Sequence, residues 1–182
     1  MSNYTTQNDL LMKKLLEFYH DENNLNKMLN IINGKSVISL RIVDWFVTNY
    51  AKKYYTTYTL NKNRFKVYPD YKLRLRAYSK KRFDPFCRWD RILMPTSDNT
   101  GIQTTIGQLN FFKWAIEYDV LDYIENNYQA IENDMNSRNS TAKRKPINNS
   151  QNQKTRKKRE ELSISATKTI KQEEVEIIIK FD

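Results

Sequence analysis

RFKVYPDYKLRLRAY, residues 64–78, is the stretch that decides the fold predicted from the sequence. Apolar and basic residues alternate on both sides of Pro69 and Asp70, which is typical of two strands with one buried face. A three-residue turn at 69–71 keeps the basic side chains together, whereas a two-residue turn would place Lys72 among the apolar ones. The pattern therefore predicts a β-hairpin with one cationic face, made of Arg64, Lys66, Lys72, Arg74 and Arg76.

This predicted hairpin places like charges opposite each other. Lys66 would face Arg74, and Arg64 would face Arg76, with a repulsion of roughly 0.2–1 kcal/mol per pair. A bound polyanion would turn that repulsion into affinity. The alternative is an ordinary solvent-exposed face, where salt screening keeps the repulsion small.

Positive charge is concentrated in two blocks of a chain whose formal net charge is +10, and the predicted hairpin lies in the first of them. Residues 50–95 hold 13 Lys and Arg against 3 acidic residues, and 143–159 hold 8 against none. Such blocks favour binding to polyanions, although patchy solvated surfaces are also common. The first block continues beyond the hairpin with Lys80, Lys81, Arg82 and Arg88.

Aromatic residues are interleaved with this first basic block. Phe83, Phe86 and Trp89 would stack on unpaired bases while the cations neutralise phosphates. The alternative for each ring is a place in the core. Nucleic-acid binding is nevertheless the hypothesis that joins most of these features.

The apolar periodicities predict an α+β fold. Amphipathic helices are expected over 6–32, with a break near Asp21, and from Ser39 to Lys53. A small antiparallel sheet follows around 64–94, and a long helix over 105–128. We expect residues 1–130 to form one globular domain.

The C-terminal part of the chain has a different composition. Residues 131–160 are rich in Asn, Ser, Lys and Arg, which predicts a disordered basic linker. Alternation in 161–182 predicts a strand or hairpin that docks on the domain itself, or alternatively on a partner's sheet. The linker's cations would tether nucleic acid, although they also fit a nuclear import signal: Lys143, Arg144, Lys145, Arg156, Lys157, Lys158 and Arg159.

The sequence offers little for catalysis or metal binding. Cys87 is the only cysteine and His20 the only histidine, too few for a Cys/His metal site. Asp84 and Asp90 could hold a metal or act as acid and base, but charge balance within a basic patch explains them as well. No phosphate-binding loop or catalytic motif occurs. We therefore predict a protein that is not an enzyme and has no cofactor.

No membrane insertion is expected, because no run of about 18 apolar residues occurs and the N-terminus lacks an apolar signal core. The single cysteine fits a reducing compartment. The oligomeric state is left open by the sequence.

Three segments carry a family resemblance: SLRIVDWFVTNY (39–50), YSKKRFDPFCR (78–88) and TTIGQLNFFKWA (104–115). They resemble a family of large nucleocytoplasmic DNA viruses of the mimivirus and phycodnavirus kind. The resemblance implies a protein made in virus factories of the host cytoplasm and packaged in the virion, rather than a nuclear one. It brings no catalytic residue with it.

Two functions follow as hypotheses. The first is sequence-tolerant nucleic-acid binding in genome handling, transcription or packaging. The second is a virion or factory protein whose basic surface binds acidic viral proteins. An enzyme with a site near 84–91 is a third, weaker alternative.

Overall fold

The computed structural model describes residues 6–87, 91–95, 100–143 and 171–174, and confirms the α+β class. Within that part of the chain, no helix combines the length and apolar character needed to cross a bilayer. The elements are α1 (Gln7–Tyr19), α2 (Glu22–Ile32), α3 (Leu40–Trp45), a π-helix (Phe46–Tyr50), α4 (Ala51–Lys53), β1 (Thr57–Leu60), β2 (Asn63–Lys66), α5 (Val67–Phe83), β3 (Arg91–Pro95), β4 (Thr100–Thr105), α6 (Ile106–Glu117), α7 (Val120–Asn126), α8 (Tyr128–Lys143) and β5 (Lys171–Glu174).

The N-terminal helices begin at capping residues. Thr6 and Asp9 form a capping box on α1, in which the Asp9 N–H donates to the Thr6 hydroxyl and the Thr6 N–H donates to the Asp9 carboxylate. Asp21 caps α2, and Ser39 caps α3. Each cap satisfies an open backbone donor and is worth about 0.5–2 kcal/mol. The helices predicted over 6–32 and from Ser39 are confirmed.

Helix α6 lies at the centre of the fold and packs against α1, α2, α5 and α7. Its Phe111, Phe112 and Trp114 are buried. Phe83 of α5 packs against Phe111 and Trp114, with ring centroids 5.8 and 5.7 Å apart. Burying an aromatic side chain of this size contributes about 1.5–3 kcal/mol. This aromatic core fixes α5, and with it the surface that carries many of the cations.

The long helix predicted over 105–128 is divided into α6, α7 and the start of α8. Helix α6 ends at Glu117 with Tyr118 as its C-cap, and Asp119 has a left-handed backbone with a φ of 52°. Asp adopts that region more easily than most residues, so the chain turns there. The apolar periodicity continues across the turn, which is why the sequence predicts a single helix.

The hairpin predicted over 64–78 is wrong, because the chain leaves the extended conformation after Lys66 and α5 begins at Val67. Pro69 lies in the first turn of α5, where a missing N–H costs no helical hydrogen bond. Asp70 lies in the same turn, where a carboxylate interacts favourably with the helix dipole. Both residues that suggest a turn in the sequence therefore favour the start of a helix.

The inner face of α5 follows the helical period, with Val67 and Tyr71 buried and Leu75 half-buried. Leu73 and Ala77, which the alternation assigns to the core, are exposed, Leu73 by 64%. The cations consequently do not share one face of a sheet. Arg64 and Lys66 lie on β2, whereas Lys72, Arg74 and Arg76 lie on α5.

The hairpin that does form joins β1 to β2. Thr57 pairs with Lys66 across the two strands. Asn61 and Lys62 make the connection with φ values of 48° and 67°, the positive values that a type I′ turn requires. Because side chains alternate along β2, Phe65 is buried while Arg64 and Lys66 are exposed.

The C-terminal half departs from the predicted linker at its start, since residues 131–143 belong to α8. Ile131 and Met135, one helical turn apart, are buried with Asp134 and hold α8 on the domain. β5 pairs with β4, which lies between β3 and β5 in an antiparallel sheet. The rest of the predicted linker and C-terminal strand, residues 144–170 and 175–182, lies outside the described residues.

Candidate nucleic-acid interface

A cavity of about 500 Å³ lies between α4, the β1–β2 hairpin and the start of α5. We call it the basic cleft. Ala51, Thr56, Thr57 and Pro69 form part of its wall, and its cations and rings are Lys52, Arg64, Lys66, Tyr55 and Tyr68. Three positive charges thus surround a cavity whose lining contains no carboxylate among the described residues. Its size falls within the range of about 300–1,000 Å³ that is usual for ligand sites.

The β1–β2 hairpin aims two of these cations into the cleft. Phe65 points to the core, where its ring lies 5.4 Å from Tyr58 and 4.9 Å from Tyr118. Arg64 and Lys66, on either side of it in sequence, must then point outward together. Arg64 donates from Nε to the Thr57 hydroxyl at 3.4 Å, which orients its guanidinium over β1.

The third cation of the cleft is Lys52, and its environment differs from that of the neighbouring Lys53. Lys53 Nζ lies 2.5 Å from Asp134 Oδ1, whereas Lys52 Nζ lies 5.8 Å from the centre of the Tyr68 ring. Asp134 also accepts from Trp45 Nε1 at 3.1 Å. Burial acts to raise the pKa of Asp134. The hydrogen bonds from Lys53 and Trp45 act in the opposite direction and outweigh it, so the pKa lies below its usual 3.8. Lys53 therefore serves the fold, and Lys52 faces the cleft.

Tyr55 offers the cleft an uncovered ring. Its side chain is 86% exposed, and its backbone has a φ of 49°. A non-glycine residue in this region costs about 1–3 kcal/mol, and such residues concentrate at functional sites. The hydrogen bond from Thr56 N–H to Ala51 O (3.1 Å) holds the turn on α4.

Cations on α5 extend the basic surface away from the cleft. Tyr68, Lys72 and Arg76 are spaced four residues apart, so they form one stripe along the outer side of the helix. Lys72 and Arg76 are exposed. Lys80, also exposed, follows the kink at Ser79.

Arg74, in contrast, is tied to the core. Its Nε lies 2.8 Å from Asp70 Oδ1, its Nη2 lies 2.5 Å from the Tyr118 hydroxyl, and its guanidinium lies 4.7 Å from the Tyr118 ring centre. Asp70 also accepts from Trp114 Nε1 at 2.7 Å. The structure thus separates Arg74 from the cations of the cleft.

The remaining predicted cations do not form one group. Lys81 is exposed, and Arg82 is half-buried, with its carbonyl accepting from Asn110 Nδ2 at 2.8 Å. Lys143 ends α8. The other cations lie outside the described residues: Arg88, Arg144, Lys145, Arg156, Lys157, Lys158 and Arg159.

The three aromatic rings that the sequence predicts to stack on bases do not line the basic cleft in the described part of the chain. Phe83 is completely buried, Phe86 is half-buried, and Trp89 lies outside the described residues. The sequence prediction missed Tyr55 and Lys52. A signal for them was present in the run of lysine, tyrosine and threonine over 52–58.

Among the described residues, no three His, Cys, Asp or Glu side chains group as a metal site would require. Asp84 Oδ1 accepts from the Phe86 N–H at 2.9 Å, in a turn that follows α5. Cys87 is a free, half-buried thiol, and His20 is exposed at the end of α1. Asp90 lies outside the described residues.

The chain is similar to known sequences over most of its length. A family model described as "Family of unknown function (DUF7197)" matches residues 2–182. "Uncharacterized protein L507" of Acanthamoeba polyphaga mimivirus is 44% identical over 130 residues, which cover 66% of this chain and 50% of that relative. The chain therefore matches only half the length of this relative. No solved structure matches. The resemblance to proteins of giant DNA viruses is confirmed.

Proposed function

This chain belongs to the DUF7197 family of unknown function, and from its surface we propose that it is a non-enzymatic protein that binds nucleic acid with little sequence preference. It acts in genome handling, transcription or packaging of a large DNA virus, in the factories of the host cytoplasm.

The basic cleft is the observation that carries this proposal. Lys52, Arg64 and Lys66 converge on a single cavity without a carboxylate in its described lining. Converging cations are suited to phosphates, because each neutralised phosphate releases condensed counterions. Lys72 and Arg76 continue the positive surface along α5, as a polymer of phosphates would require.

The chemistry of the cleft also supports low sequence preference. Lysine and arginine on phosphates position a strand but do not distinguish bases. Tyr55 and Tyr68 offer ring faces, which stack on any base with about 1–3 kcal/mol each.

A salt titration of binding to a mixed-sequence oligonucleotide tests the proposal. We expect the association constant to fall steeply with salt. In Arg64→Gln/Lys66→Gln the slope should decrease by about 0.7–0.9 for each phosphate that the variant no longer neutralises. Lys14→Gln, an exposed cation on α1, removes the same kind of charge outside the cleft and should leave the slope nearly unchanged. An association constant that does not change with salt concentration would contradict the proposal. So would an equal change of the slope in the cleft variant and in Lys14→Gln.

The second hypothesis, an acidic protein partner, uses the same cations but not the exposed ring of Tyr55. Capture of partners from infected-cell extract separates the two, because nuclease treatment removes partners that are held through nucleic acid. Tyr55→Ala should weaken binding to a single strand and leave a purely ionic protein contact unaffected.

A further inference from the structure

A second cavity, of about 370 Å³, adjoins the basic cleft between the π-helix and α5. We call it the polar pocket. Tyr68 lines both cavities, so they share a wall. Its lining includes Asp44, Thr48, Asn49, Leu75, Asp84 and Phe86.

Hydrogen bonds fix the polar side chains of this pocket. Asn49 Nδ2 donates to the Thr48 hydroxyl at 2.9 Å, and the Thr48 hydroxyl donates to the Asp44 carbonyl at 2.6 Å. Across the pocket, the Phe86 N–H holds Asp84 Oδ1 at 2.9 Å. Polar groups that are already oriented bind a ligand at a lower entropic cost than mobile ones.

Unusual backbone geometry places these groups. Thr48 and Asn49 belong to the π-helix. This conformation is rare in proteins as a whole, but where it occurs it is often found at a functional site. Lys80, another lining residue, directly follows Ser79, whose φ of 63° and ψ of 168° are almost restricted to glycine. Two uncommon backbone conformations thus occur in or next to the lining of one cavity, which favours a ligand site there.

The two cavities differ in charge. The lining of the polar pocket contains two carboxylates, Asp44 and Asp84, and two ammonium groups, Lys72 and Lys80, so its formal charges sum to zero, whereas the charged residues described in the lining of the basic cleft are all cations. A phosphate is therefore suited to the cleft, and a neutral group with hydrogen-bond donors and acceptors is suited to the pocket. A nucleotide in a strand presents this pair of groups side by side.

The pocket lining also fits the shape of a base. Leu75 and Phe86 supply apolar surface for its faces, while Asn49 and Asp84 supply an amide and a carboxylate for its edge. Unpaired bases in protein sites are held in this way, by stacking together with hydrogen bonds to their edges. A base in a duplex is stacked and paired, so it enters only at the cost of unstacking and unpairing, which an unpaired base does not require.

We propose that the polar pocket receives an unpaired base of the strand whose phosphates lie in the basic cleft, which makes single-stranded nucleic acid the ligand. This inference rests on the proposed function. It adds a preference between strand types that the cations alone do not give.

The test compares a mixed-sequence single strand with its duplex, using the full chain and two pocket variants. Asn49→Ala should weaken binding to the single strand by about five-fold and leave duplex binding unchanged. Asp84→Asn keeps the oxygen that accepts from Phe86 but makes the chain more positive. Simple charge attraction predicts tighter binding for this variant, whereas a base pocket predicts weaker binding to the single strand.

A fluorescent base analogue within the strand gives a second measurement. Its emission should change on binding to the wild type and change less with Asn49→Ala, while circular dichroism verifies that the variant is folded. Salt-dependent binding that treats both strand types alike, with no effect of either variant, would overturn the pocket and leave the proposed function standing. Absence of salt-dependent binding to either ligand would overturn both.

Discussion

Arg74 shows how one cation can serve the fold although its charge suggests a ligand. It bridges Asp70 and Tyr118, and Asp70 in turn holds the indole of Trp114. Arg76, two residues later on α5, is exposed. Residue type is the same at both positions, so only the direction of each side chain distinguishes a structural arginine from one that can meet a phosphate.

Arg74→Ala should therefore lower the free energy of unfolding by about 1–3 kcal/mol, because Asp70 and Tyr118 lose a half-buried donor. Arg76→Ala should change it by no more than about 0.5 kcal/mol. Urea denaturation followed by circular dichroism measures both. Equal stability of the two variants would contradict the structural role of Arg74.

Asp134 should make stability depend on pH in the acid range. Its pKa in the folded protein lies below the ordinary 3.8, since the hydrogen bonds from Lys53 and Trp45 outweigh the effect of burial. The folded state therefore gains stability above the unfolded pKa and loses it as pH falls through the lower folded value.

Unfolding of Asp134→Asn measures this contribution. Between about pH 6 and pH 3, the wild type should lose more free energy of unfolding than the variant, which has no carboxylate there. Parallel curves for the two proteins would show that Asp134 does not contribute.

Helix α5 shows which elements the sequence could predict. Helices α1 to α3 were predictable because their caps and apolar periods are local. In α5, the exposed apolar residues Leu73 and Ala77 complete an alternation of apolar and basic residues that is typical of a strand, although the segment is a helix. The burial of Tyr71 against Phe83 and Phe111, which selects the helix, is a contact that sequence spacing does not reveal.

The part of the candidate site that depends on local alternation of side chains could also be predicted. Arg64 and Lys66 alternate with a buried Phe65, so their common direction can be predicted from the sequence. Tyr55 could not be found in this way, because its exposure comes from a left-handed turn that places it beyond the end of α4.

The contact between α5 and α6 gives a prediction for a pair of elements. A Cβ added at Gly107 would lie 2.9 Å from the Lys81 carbonyl oxygen and 3.0 Å from that of Asp84. Both are backbone atoms, so the helices must separate to admit it. Gly107→Ala should lower the free energy of unfolding by about 1–3 kcal/mol. Gly34→Ala is a useful comparison, since no atom lies within 4 Å there and only its φ of 71° is strained.

For the whole molecule, three elements that lie close together in sequence supply the cations of the basic cleft and one of its aromatic rings. Lys52 belongs to α4, Arg64 and Lys66 belong to β2, and Tyr68 lies in the first turn of α5. Helix α8 carries Asp134, whose carboxylate contacts the ammonium group of Lys53. The composition of this segment, by itself, suggests disorder. Lys53 and Asp134 are 81 residues apart, so the helix that carries Lys52 of the cleft is held by a distant segment of the chain.

The pairing of β5 with β4 protects one edge of the small sheet. β3 pairs with the other side of β4, so β5 covers the backbone N–H and C=O groups that β4 would otherwise leave open. The strand that takes over this edge is only four residues long and contains Lys171, Glu173 and Glu174. Short, charged edge strands discourage pairing with another chain, so loss of β5 would favour self-association of the protein.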